Sequence, residues 1–159
     1  MVDERPLGIQ LADPAQLPDI SKLVLRVFNE FVAPGYGAEG RENFRAYAET
    51  RAIAARLATG NLLFTAHGTR EDLIGVIEIR SLSHISLLFV DSASHRRGVA
   101  RRLLDRALRE CLARNPGFAG FSVHASPYSV HIYERLGFQA EGPEVEKDGI
   151  IYTPMRQEL

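Results

Sequence analysis

The chain has 159 residues, 45% of them hydrophobic and 25% charged, with a formal net charge of −1. These values fit one soluble globular domain over residues 1–159, which buries roughly 70% of the surface its unfolded chain exposes without a disulfide or a metal. Near-neutrality argues against the basic field of a nucleic-acid binder, and a lone cysteine, Cys111, excludes an intrachain disulfide and a paired-cysteine metal site.

The opening Met1-Val2-Asp3-Glu4-Arg5-Pro6 carries acids and a proline where a signal peptide has a basic start and an apolar run. No apolar stretch is long enough to span a bilayer. A reducing, cytoplasmic setting with no membrane partner is expected.

Gly8 to Ala12 alternates and predicts a first strand. Asp13-Pro14 reads as a helix start, with Asp as N-cap and Pro at the first helical position. Leu17, Ile20, Leu23, Val24 and Val27 then follow helical spacing, and Pro34-Gly35-Tyr36-Gly37 ends that helix. A second helical stretch covers about 38–58 and stops at Thr59-Gly60-Asn61. Three apolar runs, at 62–66, 73–79 and 85–90, predict an antiparallel meander; the last is interrupted by one serine. A long helix over 98–114 presents Val99, Leu103, Ala107 and Cys111 as one stripe, and Asn115-Pro116-Gly117 closes it. A strand at 121–123, a short helix at 127–136 and a strand from Gly137-Phe138 follow. Lys147-Asp148-Gly149 is a hairpin turn between two final strands. This order of elements predicts a mixed α+β sheet.

The chemistry concentrates where the third apolar run meets the long helix. The first amides of a helix have no internal partner and carry the positive end of its dipole. Gly98 and Ala100 keep side chains away from them, so an anion can bind there. Between His95 and Arg102 stand four arginines and no acid. The alternative is an ordinary solvated helix surface, with Arg101 and Asp105, Asp105 and Arg109, and Arg106 and Glu110 as pairs. A dinucleotide fold needs a glycine-rich turn, and only one glycine is present; the Gly-Lys-Ser/Thr phosphate loop is also absent.

The run His95-Arg96-Arg97-Gly98-Val99-Ala100 resembles the acetyl-CoA signature of the GNAT acetyltransferase superfamily, Q/R-x-x-G-x-G/A. Ser126-Pro127-Tyr128-Ser129-Val130-His131-Ile132-Tyr133-Glu134-Arg135-Leu136-Gly137-Phe138 resembles its second signature, N-x-x-A-x-x-x-Y-x-x-x-G-F. The resemblance implies one acetyltransferase domain with a twisted, mostly antiparallel sheet of six to seven strands flanked by about four helices. It implies acetyl-CoA as co-substrate, no metal, and an amine acceptor that is a small molecule or a peptide. His95 stands where Gln or Arg is usual, and Ser126 where Asn is usual.

Carried over residue by residue, the resemblance gives the diphosphate to the backbone amides of Arg96, Arg97, Gly98, Val99, Ala100 and Arg101, with the His95 side chain as a further donor and Ser126 beside the cofactor. It gives the pantetheine amides to the backbone of Phe89 and Val90, with the Val90 N–H as oxyanion donor. Tyr133 corresponds to the tyrosine that protonates the leaving thiolate. A base must take a proton from the attacking amine. His84, ahead of the apolar strand and mostly neutral with an ordinary pKa near ~6.5, is the first candidate. Glu78, an acid in an apolar strand, is the second, and the outward face of that strand is its harmless explanation.

His124 and His131 form an incomplete metal set. The resemblance places the acceptor pocket around the first two helices, with Phe28, Phe31, Val32, Pro34, Tyr36, Phe44 and Tyr47 either lining it or forming core. Glu30, Glu39 and Glu42 either draw in a cationic amine or face solvent. A catalytically silent acyl-CoA-binding or sensory module is the alternative to an enzyme, and a homodimer is compatible with the sequence.

Overall fold

Runs of branched and aromatic residues build the centre of the molecule, because extended backbone lets them pack on both faces of a sheet. The computed structural model describes residues 8–159, so the expectation for Met1–Pro6 lies outside them. Strands β1 (Gly8–Leu11), β2 (Leu62–His67), β3 (Leu73–Arg80) and β4 (His84–Val90) form an antiparallel meander. β4 then pairs in parallel with β5 (Ser122–Ala125), which a hairpin cannot do. Helix α4 (Val99–Arg114) makes the crossover. β8 (Ile150–Gln157) pairs antiparallel with β5, with β6 (Phe138–Ala140) and with β7 (Val145–Lys147). Among the described residues the eight strands run β1-β2-β3-β4-β5-β8-β6, with β7 paired to the first residues of β8. The count exceeds the expected six to seven because the C-terminal segment contributes two very short strands.

Two layers of helix cover the sheet. α4 lays Val99, Leu103, Leu104, Ala107 and Cys111 against Phe64, Ile77 and Ile79. Gly75 lets it come close: a Cβ there would stand 3.1 Å from a Leu103 methyl and 3.2 Å from one of Val99. On the other face α1 (Leu17–Val27) packs Ile20, Leu23, Val24 and Val27 against Leu63, Val76 and Leu87. Asp13 caps as expected, accepting from the Ala15 N–H at 2.9 Å, and Pro14–Gln16 adds a 3-10 turn before α1.

Two helical stretches are less regular than their periodicity predicts. α1 continues into a π-helical turn, Phe28–Val32, and a 3-10 turn, Ala33–Gly35. The stretch at 38–58 divides into α2 (Ala38–Tyr47) and α3 (Thr50–Ala58). Ser21 Oγ donates to the buried Ala48 carbonyl at 2.7 Å, taking an acceptor that a continuous helix would use, and Glu49 turns extended. The short α5 (Val130–Arg135) precedes β6. The hairpin turn holds Asp148 and Gly149 at φ of 54° and 78°, as a tight turn of that hand requires. α2 rests on this turn through Gly40, where a Cβ would overlap the Gly149 carbonyl oxygen.

Candidate functional site

The parallel pair is the origin of the site. β4 and β5 are in register only at His84 with Ser122 and Ile85 with Val123. On the β3 side, Glu78 opposes Leu87 while Ile79 opposes Ile85, so Ser86 is an extra residue in β4. Such a bulge bends its strand, and from Ser86 onward β4 runs without a β5 partner. Asp91 donates its N–H to the Ile74 carbonyl at 2.8 Å. The alternation of an antiparallel ladder therefore turns the N–H and C=O groups of Leu88 and Val90 away from β3, into the split. The backbone of Phe89 pairs with Val76 instead. Leu88 through both groups and Val90 through its N–H are thus the strand residues with groups to offer a ligand, and Phe89 lines the split through its ring, which differs from the backbone role expected for Phe89.

The split opens into a cavity of about 660 Å³ that continues to the start of α4. Ser94, His95, Arg96, Gly98, Val99, Ala100 and Arg101 line that end. Gly98 precedes α4 at φ 78°, with nothing within 4 Å of where a Cβ would be. Arg96 is also left-handed, at φ 63°, a conformation costing a side-chain-bearing residue roughly 1–2 kcal/mol. The first α4 amides therefore face open space, and their dipole end and two arginines favour an anion.

Two expected contacts differ in detail. His95 Nε2 lies 2.7 Å from the Val90 carbonyl oxygen. A carbonyl only accepts, so Nε2 carries the proton and the ring latches the loop to the end of β4. That N–H is therefore already engaged and is not free for a phosphate. Arg97 is exposed and does not line the cavity. Opposite, Ser126, Ser129, Ile132, Tyr133 and Arg135 form the other lip. The Ser126 hydroxyl is bonded to that of Ser129. Tyr133 is 6% exposed, stands edge-on to Phe138 at 5.3 Å, and burial pushes its phenol pKa up, so it stays protonated.

The far end is aromatic. Phe28, Phe31, Val32, Tyr36, Phe44, Leu87 and Phe89 line it. Phe28 stacks on Phe44 at 4.0 Å and stands edge-on to Tyr36 at 5.6 Å; Phe44 lies 5.7 Å from Phe89. The Tyr36 hydroxyl donates to the Ile151 carbonyl at 3.2 Å, and burial raises its pKa to about 12. Phe31 bridges the cavity mouth, 5.1 Å from both His95 and Tyr128. Pro34 and Tyr47 do not reach the cavity. Glu30 and Glu39 are exposed, and Glu42 pairs with Arg45.

Of the two expected bases, neither lines the cavity. Glu78 is fully buried, with Arg56 at 2.8 and 3.0 Å and Asn61 at 2.7 Å on its oxygens. Arg56 also lies over the Tyr47 ring and bonds the Tyr47 carbonyl. Glu78 therefore ties α2 and α3 to the sheet. His84 bonds Ser122 Oγ through Nδ1 at 2.8 Å and meets His124 edge-on at 4.8 Å. Burial, aided by Arg80 and His124, lowers its pKa to about 4. His124 does line the cavity, stacked on Tyr152 at 4.1 Å, and burial lowers its pKa too.

Sequence reasoning passed over Ser86, Leu88, Tyr128 and His124 as parts of this cavity. Ser86 left one signal, a single hydroxyl in an apolar strand. Its Oγ is buried and bonds no protein group among the described residues.

The model for the acetyltransferase (GNAT) domain matches residues 32–159. No curated protein matches the chain. Among solved structures it is similar to a GCN5-related N-acetyltransferase from Rhodopseudomonas palustris, with a TM-score of 0.81 and 20% identity over 100% of this chain and 99% of that one. It is also similar to the PaiA N-acetyltransferase from Thermoplasma acidophilum in complex with coenzyme A, with a TM-score of 0.77 and 16% identity over 97% and 99%. A spermidine N-acetyltransferase chimera from Vibrio cholerae has a TM-score of 0.64 and 18% identity over 96% and 93%. At these identities the likenesses speak for the fold.

Proposed function

The chain belongs to the GNAT acetyltransferase family, and on that premise we propose that it is an N-acetyltransferase that moves an acetyl group from acetyl-CoA to a primary amine. The observation that carries this reading is the continuity of the split in β4 with the open amides of α4. One accepts an extended amide-bearing arm by strand-like pairing, the other a diphosphate. Leu88 would hold the pantetheine arm through its outward backbone groups, with the Val90 N–H left for the thioester, and residues 98–101 with Arg96 would hold the diphosphate. The neighbour bound to coenzyme A supports the assignment by analogy of fold. Residues 1–159 would act as one such domain, and a cytoplasmic setting suits it.

When bound, acetyl-CoA supplies a thioester carbon: the amine nitrogen bonds to it, the C–S bond breaks, the nitrogen loses a proton and the sulfur gains one. The chain's own groups serve these changes. The Val90 N–H, directed into the split, stabilises negative charge on the carbonyl oxygen. Tyr133, protonated because it is buried, delivers a proton toward the sulfur. Proton removal from the amine falls to the imidazole pair, His124 at the wall and His84 behind it, both neutral near pH 7.

Thiol release from acetyl-CoA over a panel of amines tests the reading. Amine-dependent release is expected. Bound acetyl-CoA without any amine-dependent release would leave a silent binding module.

A further inference from the structure

The acceptor end of the cavity has an unusual balance of groups. Five aromatic rings and Val32 surround it, yet no aspartate or glutamate is among the described residues that line the cavity. Its charged lining residues are basic: Arg96, Arg101 and Arg135, all toward the cofactor end. The Tyr36 hydroxyl is turned out to Ile151, so that residue offers its ring. Ser86, the extra residue of the β4 bulge, lines the cavity and has its Oγ buried with no protein partner among the described residues.

A polyamine or an aminoglycoside carries several ammonium groups. Each one taken from water needs a compensating partner, and burial of an unpaired charge is costly. This wall has none to give beyond a hydroxyl and π faces. A single ammonium is different: ring faces attract it, and it must shed its charge before it attacks. Glu30, Glu39 and Glu42 are exposed on the π-helical turn and α2.

We infer that the acceptor is a monoamine with an aromatic or bulky apolar body, of the arylalkylamine class, its body among Phe28, Phe31, Tyr36, Phe44 and Phe89 and its nitrogen at Ser86 Oγ. This rests on the amine-acetyltransferase reading above and narrows it.

The test has two stages with the full chain. Calorimetry with acetyl-CoA comes first; failure to bind would overturn the transferase reading and this inference with it. Thiol release is then measured with 2-phenylethylamine, butylamine, spermidine and an aminoglycoside. The expected result is a kcat/KM for 2-phenylethylamine roughly 100-fold above those of spermidine and the aminoglycoside, the scale a matched apolar pocket provides. Spermidine or the aminoglycoside equalling it, or no arylalkylamine turnover on an enzyme that binds acetyl-CoA, would overturn the inference and leave the cofactor reading standing. Ser86→Ala and Phe44→Leu should each raise the KM for 2-phenylethylamine about tenfold, the effect of one lost contact, with the KM for acetyl-CoA unchanged. Equal shifts in both KM values, or none, would show that these residues only support the fold.

Discussion

The two ends of the cavity are made in different ways. The end proposed for the cofactor is built from backbone: the outward groups of Leu88, the Val90 N–H and the amides after Gly98. The end proposed for the acceptor is lined by side chains on the π-helical turn, α2 and β4. Backbone recognition tolerates changes of side chain as long as the turn keeps its shape. Side-chain recognition changes with every substitution. The first end can thus serve one ligand while the second is tuned to another.

Substitutions can break or sharpen this contrast. Gly98→Val forces a β-branched residue into left-handed backbone and puts bulk over the amides. Acetyl-CoA binding should fall below calorimetric detection while far-ultraviolet circular dichroism stays native; retained affinity would mean that the amides are not the diphosphate site. Arg56→Leu acts on the support of the other end. It leaves Glu78 buried without its ion-pair partner, which costs about 3–5 kcal/mol, and chemical denaturation should report that loss. A change under ~1 kcal/mol would show that the pair does not hold α2 and α3 in place.

Tyr133→Phe touches the junction of the two ends. kcat should drop roughly 100-fold, the lower scale for a positioned acid, with acetyl-CoA affinity near that of the parent. Equal turnover would remove the proton-delivery role.

The smallest expected effect concerns His84. Its folded pKa of about 4 lies below the ordinary 6.5. Between those values the unfolded chain binds the extra proton, so stability is fully present above about 6.5 and declines as pH falls toward 4. His84→Asn should flatten that part of a Tm–pH curve. For the same reason His84 should give the rate profile no acidic limb near neutrality, and a His84-dependent limb there would contradict its burial.

This contrast also decides what was legible in the sequence. Small residues at a helix start announce open amides, so the exposed start of α4 after Gly98 could be read from local spacing. Whether Phe28 and Phe44 line a cavity or fill a core is not visible in spacing, since both uses need the same periodicity. The Ser86 bulge is a matter of register between strands distant in sequence, and the exchange of roles between Phe89 and Leu88 follows from it. The position of His95 in the signature suggests a phosphate donor, whereas its bond to Val90 depends on how the loop folds back. The break between α2 and α3 likewise needs Ser21 from another helix. The meander, the crossover helix and the final hairpin were legible because each is a local pattern.

The claim beneath all of this is that the open amides of α4 and the free edge of β4 together receive coenzyme A. Titrating the isotope-labelled protein with coenzyme A and following backbone amide signals by NMR tests it directly. The largest shifts should fall on Leu88, Val90 and residues 98–101, with the rings of the acceptor end little affected. Shifts confined to other surfaces, or none at saturating ligand, would contradict it.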